Sequence, residues 1–444
     1  MNPYQRPRQT DYCGGKSTKI LLQPAIVFKS DSFFRLIHLK KVSEQINYVF
    51  LHYGFLHNAI LHNQIKIQNM NQLNNPFVIG KYVGKDYFCD RKRESEQLVH
   101  HIVNGRNVTI MSERRLGKTG LIEHVFANCL PDGYETFLID IYTCKNLREM
   151  VYLMANEVFR KIAKRQTLVE HLLNTVRSLK MTLSYNPITG LPELGLGLGE
   201  IQQPETTLDE ILHYLETSDN VCIVAIDEFQ KIASFDEDNI EALLRTKIQH
   251  LKNTQFIFAG SERHLMEGIF SDPNRPFYNS VVFMQLLPID KNEYSQFCQH
   301  LFSLYGKTVA KELVEQLYDC FRGITWYLQL SMNEAFTLTG QGGHVGNDAY
   351  EPILNHLVDS KRFTFEDRYA SLTEKQKTVL MSIASVYPCD PPLTSQDFIT
   401  KYNLKTASSV QTAVKALVEK GILSDNHGVK RPTDLLFMLW LKNF

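Results

Sequence analysis

Neither sign of charge is in excess, since 48 Lys and Arg balance 48 Asp and Glu over 444 residues. The chain as a whole therefore has no electrostatic bias toward nucleic acid or anionic membrane, and any such attraction must be local. Zinc-ligand spacing is missing as well. None of Cys13, Cys89, Cys129, Cys144, Cys222, Cys298, Cys320 and Cys389 forms a C-x-x-C pair or clusters with histidine. Several lie in apolar runs, as Cys222 does in Val221-Cys222-Ile223-Val224. They read as small buried hydrophobes in a reducing cytosol. A secretory signal is lacking, because Met1-Asn2-Pro3-Tyr4 leads into polar sequence. The most apolar early run, residues 46–60, is broken by His52, His57 and Asn58 and falls short of the ~20 residues a spanning helix needs. The reading is a cytoplasmic protein without a membrane partner.

What is present is ordinary globular material. Hydrophobic residues make up 43% and charged residues 22% of the chain, enough to bury a sizeable core. At ~100–200 residues per domain, the length predicts two or three domains. Residues 1–69 differ from the rest, with nine Lys or Arg against three acids and no sustained period. They read as an extension over 1–75, disordered or not native, with translation starting at Met70. Within it, Cys13-Gly14-Gly15-Lys16-Ser17 mimics the end of a phosphate loop but follows no apolar strand.

From Asn75 onward, helical and strand patterns alternate. Helices are predicted over 91–103, 119–129, 147–163, 208–215 and 240–251, and strands over 107–111, 134–142, 221–226 and 255–259. Residues 183–205, rich in Gly and Pro, predict a loop or β-hairpin insertion. Such alternation implies a parallel sheet covered on both faces. After Pro288 the pattern turns helical, with segments over 293–304, 310–321 and 326–337.

The chemistry is concentrated in two places. The apolar strand Val108-Thr109-Ile110-Met111 runs into Ser112-Glu113-Arg114-Arg115-Leu116-Gly117-Lys118-Thr119-Gly120, and a helix follows. Strand, loop and helix are the context that gives a Gly-Lys-Thr string its meaning. A helix N-terminus offers free amides and partial positive charge to phosphate oxygens. Gly117 permits close backbone approach, Lys118 is placed to reach β and γ phosphates, and the Thr119 hydroxyl to ligate Mg²⁺. Ser112 stands where the full pattern has glycine.

The second place is Val221-Cys222-Ile223-Val224-Ala225-Ile226-Asp227-Glu228, an apolar strand ending in two acids. That end is where ligands bind in open α/β sheets. Asp227 is the candidate metal ligand and Glu228 the candidate general base. A third strand ends at Ser261, a candidate γ-phosphate sensor. Arg275, between Asn274 and Pro276, is a candidate arginine finger for its own or a neighbour's site, the latter implying a homo-oligomer, or else a surface arginine.

This series resembles the STAND and archaeal-type AAA+-like P-loop ATPases from about Phe77 to the C-terminus. Phe88-Cys89-Asp90-Arg91-Lys92-Arg93-Glu94 resembles their "F-x-G-R-x-x-E" opening, with Asp90 in place of Gly. Gly323-Ile324-Thr325-Trp326-Tyr327 resembles their lid element "G-x-P", with Thr325 in place of Pro. The resemblance implies an α/β fold of ASCE P-loop type, with a parallel sheet over 76–290 and a helical lid over 291–369. It also implies ATP and Mg²⁺ as cofactors. The guanine-reading Asn-Lys-x-Asp string is absent.

The last segment, 370–444, predicts three helices and a hairpin and resembles a winged helix-turn-helix. Thr373 is a plausible cap for the first helix. If the third helix entered a DNA groove, Ser408, Ser409, Gln411, Thr412 and Lys415 would face it, with Lys430 and Arg431 on the wing. Nine basic against six acidic residues in 371–444 is a modest excess for phosphate binding, and such modules also bind proteins. Two functional readings remain open. One is a slow Mg²⁺-dependent ATPase switching a winged helix, and the other is a DNA- or protein-binding regulator in which ATP is structural.

Overall fold

The computed structural model describes residues 73–443 except 164–165, 179–181, 186–191, 196–200 and 427. The segment before Leu73, with the early Gly-Lys-Ser string and Met70, lies outside the described residues, as does most of the Gly-Leu repeat after Gly195.

The strands in chain order are β1 (Val108–Met111), β2 (Tyr134–Asp140), β3 (Thr182–Tyr185), β4 (Pro192–Gly195), β5 (Val221–Asp227), β6 (Thr254–Gly260) and β7 (Val282–Gln285). Five of them form one parallel sheet in the order β2-β5-β6-β1-β7. Sequence patterning missed β7. This four-residue edge strand has Val282 half-buried, Met284 buried and Phe283 and Gln285 exposed, and it is shorter than β5 and β6. β3 and β4 pair antiparallel as a hairpin inside the 183–205 stretch, although β3 begins one residue earlier.

The central strands explain the long apolar runs. Cys222, Val224 and Ile226 point into one core, whereas Ile223 and Ala225 point into the other. Successive strand residues face opposite sides, so a strand covered on both faces is apolar throughout. One core is closed by Lys92–Val103 and Lys118–Asn128, through Leu98, Ile102, Leu121, Ile122 and Val125. The other is closed by Leu147–Ile162 and Pro204–Glu216. Asn146 caps the former helix by accepting from the Glu149 amide at 3.0 Å, and Pro204 opens the latter, where its missing N–H costs nothing.

Beyond the sheet, helices Lys291–Leu304, Lys311–Cys320, Thr325–Leu338, Tyr350–Asp359 and Arg362–Ala370 precede the terminal module. That module has helices Glu374–Val386, Gln396–Lys401 and Ala407–Glu419, then antiparallel strands Leu423–Asn426 and Val429–Pro432. Thr373 and Gln376 make a reciprocal capping box. A final helix, Leu435–Lys442, buries Leu435 through Leu441 without a break. Lid and winged helix share one hydrophobic core, running from Tyr294 and Leu328 to Leu436 and Trp440.

Of the seven described cysteines, five are buried, and burial pushes the Cys222 thiol up to about 12. Among the described residues no helix is long and apolar enough to cross a membrane.

Candidate functional site

The carboxyl ends of β1, β5 and β6 converge on one place, because β6 lies between β1 and β5 and all three run parallel. β1 delivers the phosphate loop, β5 the two acids and β6 Ser261.

The loop turns through left-handed backbone at Arg115 (φ 68°) and Gly117 (φ 92°). Gly117 pays no steric penalty there and has nothing within 4 Å of where a Cβ would stand, so phosphate oxygens can approach. Ser112 keeps negative φ, so that position does not need glycine. Its hydroxyl donates to the Glu113 carbonyl at 2.8 Å and accepts from Lys118 Nζ at 3.4 Å. Gly117 caps helix Lys118–Asn128 without any side-chain bond to the first-turn amides. Those donors are available to an anion.

Lys118 is 6% exposed, and burial lowers its ammonium pKa while Asp227 and Glu228 pull it back up. A buried cation with its strongest acceptor 3.4 Å away suits an incoming polyanion. Asp227 is 5% exposed, with its carboxyl raised by burial and lowered by a 2.5 Å hydrogen bond from Thr119. Thr119 and Asp227 thus bring two oxygens to one point. Among the described residues no group of three or more His, Cys, Asp or Glu could hold a metal alone. The two oxygens of Thr119 and Asp227 fit Mg²⁺, which takes one or two protein oxygens and fills its octahedron with phosphate and water.

Glu228 takes a left-handed turn (φ 57°) immediately after β5. Its Oε2 accepts from Ser261 Oγ at 2.8 Å and from Gln230 Nε2 at 2.5 Å. Ser261 therefore reaches the second acid. Gln230 was not visible as a site residue. It lies two positions past the acids on the short helix Phe229–Ser234, whose turn alone aims it back.

A cavity of about 590 Å³ opens beside the loop. Arg114, Arg115, Leu116, Gly117, Lys118, Thr119, Gly120 and Glu228 line it, together with Val78, Gly80, Lys81, Tyr82, Val83, Phe88, Trp326 and Gln329. Arg91, 3% exposed, donates to the carbonyls of Leu287 (2.6 Å) and Leu116 (3.3 Å) and pairs with Glu94 at 2.7 Å. It braces the phosphate loop from behind. Asp90 and Arg91 both have positive φ, which is the conformation glycine would favour at position 90. Thr325 replaces the expected proline with a function of its own, since its hydroxyl donates to the Leu116 carbonyl at 3.3 Å.

Three loop residues face other groups. Arg114 lies over the Tyr142 ring at 5.8 Å. Arg115 stacks on Trp326 at 4.6 Å and donates to Tyr327 Oη, which donates to Asp434 and accepts from the Leu435 amide at 3.0 Å. Glu113 forms an ion pair with the wing residue Arg431. Arg431 also bonds Asp390 at 2.8 Å, and Asp390 bonds Arg322 at 2.7 Å. Lys430 is paired with Asp425. Ser408, Gln411, Thr412 and Lys415 remain exposed and Ser409 is half-buried. Arg275 does not line the cavity. It is held by Glu241, so a finger role in a neighbouring copy would require that pair to open.

A family model described as "Probable winged helix domain" matches residues 363–443. Among solved structures, a Walker-type ATPase of Pyrococcus abyssi is similar over 83% of this chain and 99% of its own, at 18% identity and a TM-score of 0.54. The ORC2 protein of Aeropyrum pernix, solved in ADPNP–ADP complexes, is similar over 83% and 95%, at 12% identity and a TM-score of 0.51. No curated protein matches the sequence. With its five-stranded parallel sheet, helical lid and C-terminal winged helix, the chain has the fold of the ASCE-class P-loop ATPases.

Proposed function

We propose that the protein is a slow Mg²⁺-dependent ATPase whose nucleotide state sets how the winged helix is held. In this reading Lys118 and the first-turn amides bind the phosphates, and Thr119 and Asp227 hold the metal, which would supply charge neutralisation at the β and γ oxygens. Glu228 accepts the proton of the attacking water. Its contacts with Ser261 and Gln230 both fall on Oε2, which leaves the other carboxylate oxygen to take that proton.

The observation that carries the switch is the pair of bridges from the phosphate loop to the terminal module, Glu113–Arg431 and Arg115–Tyr327–Asp434. Loop residues that would flank a nucleotide are the same residues that hold the terminal module, Glu113 directly and Arg115 through Tyr327. A cleft of about 710 Å³ beside this contact is lined by Glu113, Arg115, Ser261 and Arg431. The side chains of Glu113 and Arg431 are 38% and 37% exposed, and such a pair is worth only ~0–1 kcal/mol. That suits a contact made and broken during turnover better than a permanent clamp.

Glu113→Gln and Arg431→Gln should each change steady-state turnover several-fold in the same direction. The double variant should match Arg431→Gln, which already removes the contact with Glu113 together with the Asp390 bond. Unchanged turnover in all three would remove the latch. A wild type that retains ATP without releasing phosphate would favour the reading in which ATP is structural.

The exposed face of Ala407–Glu419 keeps a nucleic-acid role testable. If it enters a groove, neutralising Lys415, Lys430 and Arg431 should weaken duplex binding on every sequence and shallow the salt slope by about 0.9 per lost contact. No measurable wild-type affinity for duplex at low salt would leave a protein partner as the ligand of the winged helix.

A further inference from the structure

One buried side chain beside the two acids is satisfied on one side only. Gln230 is 2% exposed and lies on the short helix Phe229–Ser234. Its neighbour Phe229 is wedged among Phe258, Phe270 and Phe277, at ring distances of 4.4, 5.7 and 5.7 Å, which fixes that helix against the core. Gln230 Nε2 donates to Glu228 Oε2 at 2.5 Å and reaches Ser261 Oγ at 3.5 Å. A carboxylate can only accept, so the N–H side of the amide must face it, and rotating the amide would set oxygen against oxygen. The carbonyl half gains nothing: among the described residues Gln230 Oε1 has no hydrogen-bond partner. A Cβ on Gly260 would stand 2.7 Å from that oxygen, so the end of β6 is bare where the amide lies. An unpaired buried acceptor costs stability that an apolar side chain would not, and the amide is therefore suited to holding Glu228 rather than to filling the core.

We propose that Gln230 is the positioning residue for the general base, keeping Glu228 Oε2 fixed when nucleotide draws Ser261 away. This inference rests on the ATPase reading above and adds how its base is aimed. Ser261 Oγ donates to the same Oε2 at 2.8 Å, but a serine hydroxyl has one proton. In the ATPase reading Ser261 senses the γ-phosphate, and a hydroxyl that donates to phosphate no longer donates to Glu228. Gln230 meets no such competing acceptor, because it does not line the nucleotide cavity. Its hydrogen bond to Oε2 persists through binding and leaves the other carboxylate oxygen aimed at the water.

The test is single-turnover hydrolysis of MgATP by the full chain, read beside equilibrium MgATP binding. Gln230→Met, similar in length but without a donor, should slow hydrolysis about 10–100-fold, the cost of misplacing a reacting group by about an ångström, while the dissociation constant stays within about threefold. Gln230→Asn keeps an amide but withdraws it by one methylene. It should slow hydrolysis likewise, and it decides the matter if the methionine variant does not fold. The Glu228→Gln background separates aiming from general damage. There Gln230→Met should change the residual rate by no more than about twofold, because no base is left to aim. Hydrolysis at the wild-type rate in either variant, once folded, overturns the inference and leaves the ATPase reading intact. An equal fold loss in the Glu228→Gln background also overturns it, since Gln230 would then be acting on the fold at large. Wild-type turnover in Glu228→Gln itself would overturn the reading of Glu228 as the base, and this inference with it.

Discussion

Replacing Lys118 with alanine is expected to lower ATP affinity at least about a hundredfold. Lys118 is the buried cation of the loop, and its partner in the structure is a neutral hydroxyl 3.4 Å away. Charge-assisted hydrogen bonds contribute ~1.5–3 kcal/mol each, and in the proposed reading the ammonium makes two of them on the β and γ oxygens. Burial holds the Lys118 pKa below its ordinary value, so the free protein loses the ammonium at lower pH than an exposed lysine would. Wild-type affinity should therefore decline as pH rises through that lowered pKa, and the alanine variant should lack this alkaline decline. Calorimetric titration across pH measures both. Affinity within about threefold of wild type would show that the loop is not a nucleotide site.

Glu228→Gln is expected to cut hydrolysis by about 10²–10⁴-fold while leaving the dissociation constant within a few-fold. The amide keeps the shape and can still accept from Ser261, yet it cannot take a proton from water. The contrast between unchanged binding and lost single-turnover phosphate release is what identifies a base rather than a structural acid. Unaltered turnover would remove Glu228 from the chemistry. Asp227 should behave differently. Burial raises its carboxyl pKa, so metal affinity should weaken as pH falls toward that raised value, because only the carboxylate binds a cation well.

Both acids and the loop were legible because each is announced by local pattern. A fully apolar strand ending in Asp227-Glu228 must lie in the middle of a parallel sheet, and such strands present their carboxyl ends to the ligand. Arg91 was legible as a residue but not in its action. Its reach to the Leu116 carbonyl depends on left-handed backbone at positions 90 and 91, where no glycine signals it. Gln230 carried no signal, since an amide matters only through what surrounds it.

The wing shows the limit most plainly. From their place on the wing of a segment resembling a winged helix, Lys430 and Arg431 read as phosphate contacts if the module binds DNA. In the folded chain Arg431 meets Glu113 across 318 positions of sequence, and Lys430 meets Asp425 within the hairpin. Charge tells which partners are permitted, not which one is near. The same holds for Glu113 and Arg115, read as phosphate-loop residues and found gripping the wing and the lid.

Apolar period, cap residues and the two motif strings by themselves determined four of the sheet's five strands, their parallel direction, the phosphate loop and the three helices and hairpin of the terminal module, because these depend on neighbours within about a turn or a strand of each residue. Only the tertiary structure decided that β6 separates β1 from β5, that lid and winged helix share one core, and that the wing closes onto the phosphate loop. Those outcomes depend on buried surfaces and charges meeting from distant parts of the chain, and such meetings leave no period in the sequence.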